Sequence, residues 1–115
     1  MIIYDTEIIN AVPPEDPALR LSGITYCQGW EDKAGMGIAC LCAFDTLTVR
    51  SHVFMADNLL AFGALINDRR VMGWNNHRFD DPLLAEHGIV MHPGQSLDLF
   101  AMVGKAAGIA EGERP

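Results

Sequence analysis

The feature that most constrains the fold is a short apolar run at residues 2–9, which carries two acids, Asp5 and Glu7, in its middle. Its length and its isoleucines predict a buried β-strand. Side chains alternate between the faces of a strand, so the two acids are expected to point the same way. Two like charges ~4 Å apart repel by ~4 kcal/mol at an effective dielectric of ~20, and a bound cation would remove that repulsion. The run therefore predicts a metal site, with two solvated acids at a strand end as the alternative.

The chain has 115 residues, half of them hydrophobic, which predicts one domain over residues 1–115 with a core of its own. No run approaches the ~18 apolar residues of a membrane span, and the N-terminus lacks the basic segment of a signal peptide. The three cysteines, Cys27, Cys40 and Cys42, are an odd number and suit reduced core thiols better than a zinc site or a disulfide framework. We therefore expect a soluble cytoplasmic protein that makes no membrane contact.

The net charge of −7 counts against generic binding of nucleic acid, because the phosphates would be repelled. Two bound divalent ions would bring four positive charges and reduce the net charge to −3. A role in nucleic-acid chemistry therefore requires that some of the acids are metal ligands.

The remaining hydrophobic pattern predicts an α/β fold, a mixed sheet with helices packed on its faces. After the first strand, the pattern predicts a loop (10–20), a short strand (21–28), a strand buried on both faces (36–44) and an edge strand (48–54). A helix (58–68), a strand (71–74), a second helix (82–88), a last strand (97–100) and the start of a helix (101–108) follow. Asp57 and Asp81 are predicted to cap the first two helices. This order, an antiparallel meander of strands followed by βα units, resembles a ribonuclease H-like fold more than a flavodoxin-like sheet.

A second chemical stretch, residues 73–80, ends in Asp80, where a predicted strand gives way to a helix. Ligands of open α/β sheets bind beside such strand ends. Because Asp81 is predicted to cap the helix, Asp80 is free to face the two acids of the first strand. The alternative is that Asp80 helps to cap the helix.

Two motifs carry a resemblance to a known family. Asp5-Thr6-Glu7 in a first strand resembles the D-x-E motif of the DEDD family of 3′–5′ exonucleases. The stretch from Asn76 to Asp80, Asn-His-Arg-Phe-Asp, is similar to the family's second motif, an Asn followed shortly by Phe-Asp. The resemblance covers roughly residues 1–108 and implies a ribonuclease H-like domain that hydrolyses phosphodiester bonds of DNA or RNA.

The resemblance also implies roles for individual residues. The catalytic residues and metal ligands would be Asp5, Glu7 and Asp80, which would hold two Mg²⁺ or Mn²⁺ ions. The substrate, a single-stranded or 3′-terminal nucleic acid, would be bound by Thr6, Asn76, Arg78 and Phe79. Trp30 and Trp74 are candidates for stacking on bases, although Trp74 is expected to pack in the core.

The chain departs from the family's pattern after Asp98. The third motif is a Tyr or His shortly before a last Asp on a C-terminal helix, and no Asp, Tyr or His follows this position. We therefore expect the last helix to be missing or incomplete. Without its residues, one of the two metal positions would be weak, and the attacking water would be poorly held. Apolar surface around Ile38, Cys40 and Cys42 would stay open, which predicts a homodimer.

Two other functions remain open. The first is a catalytically inactive, truncated relative that binds nucleic acid or a protein partner. The second is an unrelated small α/β binding domain whose acids are solvated. A divalent-ion titration would separate the second from the others, and a nuclease assay would separate an active enzyme from an inactive relative.

Overall fold

The framework of the protein is a five-stranded mixed β-sheet, seen in a computed structural model that describes residues 1–110. The strands are β1 (Ile2–Ile8), β2 (Ile38–Asp45), β3 (Arg50–Met55), β4 (Val71–Gly73) and β5 (Ser96–Asp98). Their order in the sheet is β3-β2-β1-β4-β5. The first three strands are antiparallel neighbours, and β4 pairs in parallel with both β1 and β5. The predicted α/β class and the antiparallel meander are therefore confirmed.

Four α-helices accompany the sheet within the described residues. They are α1 (Lys33–Met36), α2 (Leu59–Leu65), α3 (Asp80–Glu86) and α4 (Leu99–Ala106), with a 3₁₀ turn at Pro17–Leu19. α2 links β3 to β4, α3 links β4 to β5, and α4 follows β5 directly. No helix within residues 1–110 combines the length and the hydrophobicity needed to cross a bilayer.

Three local predictions are wrong. Residues 21–28 do not form a strand, and their only β-type pairing is an isolated bridge between Tyr26 and Ala11, outside the sheet. The N-cap of α2 is Asn58 instead of Asp57. α3 already begins at Asp80, so Asp81 lies inside its first turn and does not cap it. α2 is also shorter than the predicted range 58–68, and α3 begins and ends two residues earlier than the predicted range 82–88.

The core lies on one face of the sheet, under α2 and α3. β1 alternates strictly, with Ile2, Tyr4 and Thr6 buried and the residues between them exposed. Phe62 of α2 is fully buried, with ring centroids 5.6 Å from both Tyr4 and Phe54. Aromatic pairs at such separations contribute ~0.5–1.5 kcal/mol beyond their buried area. This packing holds β1, the strand with the two acids, at the centre of the molecule.

The opposite face of the first three strands is largely uncovered. We call it the open face and define it by three cross-strand rows: Ile3, Phe44 and Ser51; Asp5, Cys42 and Val53; Glu7, Cys40 and Met55. Val53 is 60% exposed and Met55 51% exposed. The prediction that residues 36–44 are buried on both faces is therefore wrong, and so is the prediction that Ile38 is uncovered, since it is 2% exposed. Cys27 is buried, as expected for a core thiol, whereas Cys40 is half-buried and Cys42 is exposed on the open face, so the prediction of a core thiol is wrong for Cys42.

Candidate functional site

The candidate site lies where β1 extends past the C-terminal end of β4. β4 ends at Gly73 and pairs with β1 only through Ile2 and Ile3, so the later part of β1 has no strand beside it on that edge. A groove of about 380 Å³ opens there. We call it the acid groove, and its lining residues are Asp5, Thr6, Glu7, Ile8, Trp30, Trp74, Asn75, Phe79 and Asp80.

Asp80 takes the place of a strand partner beside β1. Its Oδ1 accepts a hydrogen bond of 3.1 Å from the amide of Thr6 and a second one from the Thr6 hydroxyl. Both residues are buried. An amide at an unpaired sheet edge needs an acceptor when it is buried, and this carboxylate supplies it. Asp80, the acid of the second motif, is thus held by Thr6, which lies between Asp5 and Glu7 in the first motif.

Burial raises the pKa of the Asp80 carboxyl, and the negative charge of Asp5 raises it further. The two hydrogen bonds from Thr6 act in the opposite direction, because they stabilise the ionised form. A positive charge placed beside Asp80 would lower the pKa of this carboxyl again, because it would stabilise the ionised form.

Asp5 and Glu7 approach the groove from the open face, while Asp80 approaches it from the sheet edge. Both acids of β1 are exposed, and their direct cross-strand neighbours are Cys42 and Cys40. Partial burial raises the pKa of the Cys40 thiol, and the nearby Cys42, Glu7 and Asp5 add to this increase. Within residues 1–110, no three His, Cys, Asp or Glu side chains lie close enough together to hold an ion. The predicted ligands share a groove but do not form a closed cage.

Next to Asp80 in the sequence, Asp81 is the centre of a partly buried polar network. Its carboxylate accepts hydrogen bonds from the hydroxyl of Tyr4, from Ser96 Oγ at 2.6 Å and from Asn76 Nδ2 at 3.3 Å. Asn76 Nδ2 also donates to Ser96 Oγ at 2.7 Å. Burial and the Asp81 carboxylate raise the pKa of Tyr4. The network joins β1, β5 and α3 and so fixes the start of the helix that carries Asp80.

Asn76 is fully buried, and its Oδ1 has no hydrogen-bond donor among the described residues. Thr6 is buried as well, with its hydroxyl bonded to Asp80. Asn76 does not line the acid groove, and the Thr6 hydroxyl donates its hydrogen bond to Asp80. Any part they play in substrate binding would act through the acids that they position. The sequence offered no signal for the partner of Asn76, since Ser96 lies 20 residues away.

Asp98 orders the loop above the network and was missed as a site residue. Its carboxylate accepts hydrogen bonds from the amides of Asn75 at 2.9 Å, His77 at 3.3 Å and Phe100 at 3.0 Å. It is therefore the N-cap of α4 and the anchor of the loop after β4. An acid immediately before an apolar helical segment is a recognisable N-cap pattern and could have revealed the first of these roles.

Arg78 lies outside the acid groove. It borders a second groove of about 730 Å³ together with His77 and Lys105, and we call this the basic groove. Its remaining lining residues are Asp98, Phe100, Ala101, Gly104, Gly108, Ile109 and Ala110. His77 Nε2 donates to the carbonyl of Ser96 at 2.8 Å. Of the predicted substrate-binding residues, the structure thus separates Arg78 from the acids and keeps Phe79 beside them.

Two exposed tryptophans border the acid groove. Trp30 is 64% exposed and Trp74 55% exposed, so the expectation that Trp74 packs in the core is wrong. Trp30 meets Phe79 edge-on with ring centroids 6.0 Å apart. Trp74 meets Phe100 in the same manner at 5.3 Å. These contacts hold both indoles at the rim while leaving much of their surface accessible.

No protein-family model matches the chain, and no curated protein matches it.

Proposed function

We propose that this chain is a metal-dependent 3′–5′ exonuclease-type domain of the DEDD kind, built on a ribonuclease H-like sheet. The observation that carries the proposal is the acid groove, in which Asp5, Glu7 and Asp80 line one cavity at a strand end. The strand order, with the acid-bearing β1 in the centre and an antiparallel meander on one side, supports the fold assignment. The groove's position supports the function, because ligands of open α/β sheets bind at such strand ends.

The charge of the groove supports a requirement for divalent cations. Its lining contains three acids and, among the described residues, no Lys, Arg or His. A phosphodiester is an anion, so it would be repelled unless cations lay between it and the carboxylates. Mg²⁺ and Mn²⁺ take oxygen ligands, and Mg²⁺ keeps several waters, which suits a groove with few carboxylates. Asp5 with Glu7 or Asp80 would hold the first ion, and a second ion would be held more weakly.

The chemistry supplied by such ions is polarisation of the scissile phosphodiester and activation of a water molecule. The residues of the chain fix the geometry for that step. Thr6 orients Asp80, and the network around Asp81 fixes the first turn of α3. Burial and Asp5 raise the pKa of Asp80 and so disfavour its ionised form. A cation bound beside this carboxylate would stabilise the ionised form. The groove is thus a site that a cation completes.

Binding without hydrolysis is the second candidate function. No Tyr or His lines the acid groove within the described part of the chain. Such a residue would orient the attacking water in the family that the motifs resemble.

The three free cysteines favour a cytoplasmic location for either function, and that location stays a prediction.

A nuclease assay tests the proposal. A 5′-labelled single-stranded oligonucleotide should be shortened progressively from its 3′ end in Mn²⁺ or Mg²⁺ and left intact in chelator. Asp5→Asn and Asp80→Asn should each abolish the shortening. Asp57→Asn is the matched control, since it removes the same charge from an exposed position outside the groove.

Three outcomes separate the candidates. Metal-dependent shortening that the groove variants lose and the control keeps supports the exonuclease. Metal-dependent binding of the oligonucleotide without shortening favours the second candidate. Neither binding nor shortening in any divalent ion contradicts both and leaves the small α/β binding domain.

A further inference from the structure

Two of the three cysteines lie side by side on the open face, outside the buried core. Cys40 and Cys42 are two positions apart on β2, so their side chains point to the same face of the sheet. Residues with this spacing on a strand have their Cα atoms ~6.6 Å apart. Cys42 is exposed and Cys40 half-buried, and both thiols are free. Two accessible thiols at this spacing can reach one common atom above the sheet.

A third sulfur atom adjoins the two thiols. Met55 is the direct cross-strand partner of Cys40 on the edge strand β3, and it is 51% exposed. Side chains directly opposite each other in an antiparallel pair have Cβ atoms ~4.5–5.5 Å apart, and diagonal neighbours ~7–8 Å apart remain within reach of long side chains. Methionine is long and flexible, so its thioether can approach both thiols. We call Cys40, Cys42 and Met55 the sulfur cluster.

The ligand types of the sulfur cluster discriminate between metals. Structural Zn²⁺ sites are tetrahedral and take four ligands from Cys, His and carboxylate side chains. Within residues 1–110, no three His, Cys, Asp or Glu side chains lie close enough together to share an ion. The cluster instead offers two thiols and a thioether. Thiolates and thioethers are soft ligands that suit Cu(I), and this ion accepts as few as two or three of them.

The acids of β1 border the sulfur cluster without belonging to it. Asp5 is the cross-strand partner of Cys42, and Glu7 is the partner of Cys40. Their negative charges attract cations to the open face. Carboxylate oxygens suit Mg²⁺ and Mn²⁺, whereas sulfur suits Cu(I), so ligand softness would direct the two kinds of ion to different groups.

We propose that Cys40, Cys42 and Met55 bind one Cu(I) ion on the open face, with two thiolates as the main ligands and the thioether as a weaker third. Each thiol releases its proton to the solvent as its sulfur bonds the ion, and no electron is transferred. β2 is paired with β1 on one side and β3 on the other, so the spacing of the ligands is set before the ion binds. The inference goes beyond the proposed function, because it concerns other ligands and another class of ion.

A competition titration measures the binding. The protein is reduced with a phosphine, kept under nitrogen and studied at submicromolar concentration, because the expected homodimer would cover the sulfur cluster. Cu(I) is supplied as its coloured complex with bicinchoninate, and transfer of the ion to the protein lowers the absorbance. We expect one Cu(I) ion per chain. A millimolar excess of Mg²⁺ should leave the affinity unchanged, since Mg²⁺ takes oxygen ligands.

Substitutions assign the ligands. Cys40→Ser and Cys42→Ser should each raise the Kd for Cu(I) by about 100-fold or more, because the loss of one thiolate removes the chelate. Met55→Leu should raise the Kd by about 10-fold, since it removes a weaker ligand and keeps a similar shape. The matched controls are Cys27→Ala, at a buried thiol away from the open face, and Met102→Leu, at a methionine of α4 that is 49% exposed. Both controls should bind Cu(I) as the wild type does.

X-ray absorption at the copper edge provides a readout that does not depend on affinity. The ion in the wild-type protein should be surrounded by sulfur atoms alone, and Met55→Leu should lose one of them. A shell of oxygen or nitrogen atoms would overturn the proposal. Unchanged affinity after replacement of both Cys40 and Cys42 by serine, or tighter binding of Zn²⁺ than of Cu(I), would overturn it as well.

The outcome is separable from that of the proposed function. Asp5→Asn should retain the affinity for Cu(I), and Cys42→Ser should retain any metal-dependent shortening of the oligonucleotide. Cu(I) binding without nuclease activity keeps the sulfur cluster and removes the exonuclease. Nuclease activity in a protein that does not bind Cu(I) keeps the exonuclease and removes the sulfur cluster.

Discussion

Thr6 donates two hydrogen bonds to the same oxygen of Asp80, one from its amide and one from its hydroxyl, across 74 residues of sequence. Thr6 lies between the two acids of β1, and Asp80 begins α3. This contact therefore fixes the position of Asp80 relative to Asp5 and Glu7. A shift of the helix would move Asp80 relative to both acids of the strand.

Thr6→Val should destabilise the protein by ~1–3 kcal/mol at neutral pH. The substitution keeps the branched shape but removes a donor to a buried carboxylate, and such charge-assisted hydrogen bonds contribute in this range. Urea unfolding would measure the loss. Thr6→Ser, which keeps the hydroxyl, should retain most of the stability, and a Thr6→Val protein as stable as the wild type would contradict the importance of the contact.

The pH dependence of stability should reveal the raised pKa of Asp80. The folded state binds the proton of this carboxyl more tightly than the unfolded state, whose pKa is ~3.9. The contribution of Asp80 is therefore fully present below ~pH 3.9 and is lost as the pH rises through the folded pKa. Relative to the wild type, Asp80→Asn should become more stable as the pH increases, measured by urea unfolding from ~pH 3.5 to ~pH 7.

Asp45 provides the control of opposite sign. The guanidinium of Arg69 donates to both of its oxygens, at 2.6 and 3.2 Å, and lowers the pKa of this carboxyl. Its contribution is present above ~pH 3.9 and is lost as the pH falls. Asp45→Asn should therefore be destabilising at neutral pH and less so in acid. For each variant, the difference in unfolding free energy from the wild type is followed against pH. If this difference changes in the same direction for Asp80→Asn and Asp45→Asn, the environment assigned to Asp80 is wrong.

The placement of the acids could be predicted from the sequence because it depends on local rules. Alternation along β1 put Asp5 and Glu7 on one face, and the junction between β4 and α3 put Asp80 at a strand end. Both rules depend on residues next to one another in the chain. The motif spacing then brought the three carboxylates to one groove, as the structure places them.

The surroundings of the acids could not be predicted, because they depend on distant partners. An acid at the start of a helix fits an N-cap as well as a buried network, and only Tyr4 and Ser96 decide the role of Asp81. The hydrophobicity of residues 36–44 likewise does not specify which faces other elements cover. The exposure of Trp74 depends on α4, because its contact there is with the ring of Phe100, which lies nearly perpendicular to the indole at an interplanar angle of 79°.

Mn²⁺ should raise the melting temperature of the protein if the acid groove binds it. An ion that binds only the folded state at tenfold its Kd adds ~1.4 kcal/mol. Asp5→Asn should raise the melting temperature without metal, because it removes repulsion toward Asp80, and it should abolish the response to Mn²⁺. Differential scanning fluorimetry with Asp57→Asn as control measures both effects. An unchanged melting temperature and an unchanged response in Asp5→Asn would mean that the acids act separately.

Gly73→Ala should destabilise the protein by ~1–3 kcal/mol, because overpacking forces neighbouring groups to move. A Cβ at this position would lie 2.9 Å from Cβ and Cγ of Asn76, which is fully buried and bonded to Ser96. Gly63→Ala is the matched control, since its nearest neighbour is an Ile89 carbon at 3.6 Å and alanine favours a helix. Equal stabilities of the two variants in urea would contradict this prediction, since they would show that the loop after β4 moves to accommodate the new Cβ without loss of stability.

The open face leads to the last prediction, that the protein associates through it. Its apolar members include Ile3, Phe44, Val53 and Met55, all exposed on neighbouring strands. Contiguous apolar surface of this kind marks interaction sites in soluble proteins. A second copy related by a two-fold axis is the simplest partner, because one patch then covers the other. Sedimentation at micromolar concentration should therefore give the mass of a dimer.

Substitution in the middle row of the open face tests that assignment. Val53→Lys places a charge within the proposed interface, on the edge strand β3, and should shift the sedimentation to the mass of one chain. Leu60→Lys introduces the same charge at an exposed leucine of α2, outside the open face, and should leave the dimer intact. A monomeric wild-type protein, or equal effects of the two lysines, would contradict the interface. Because Asp5 and Glu7 lie on the same face, the dimer should also bind single-stranded substrate less well than the Val53→Lys monomer.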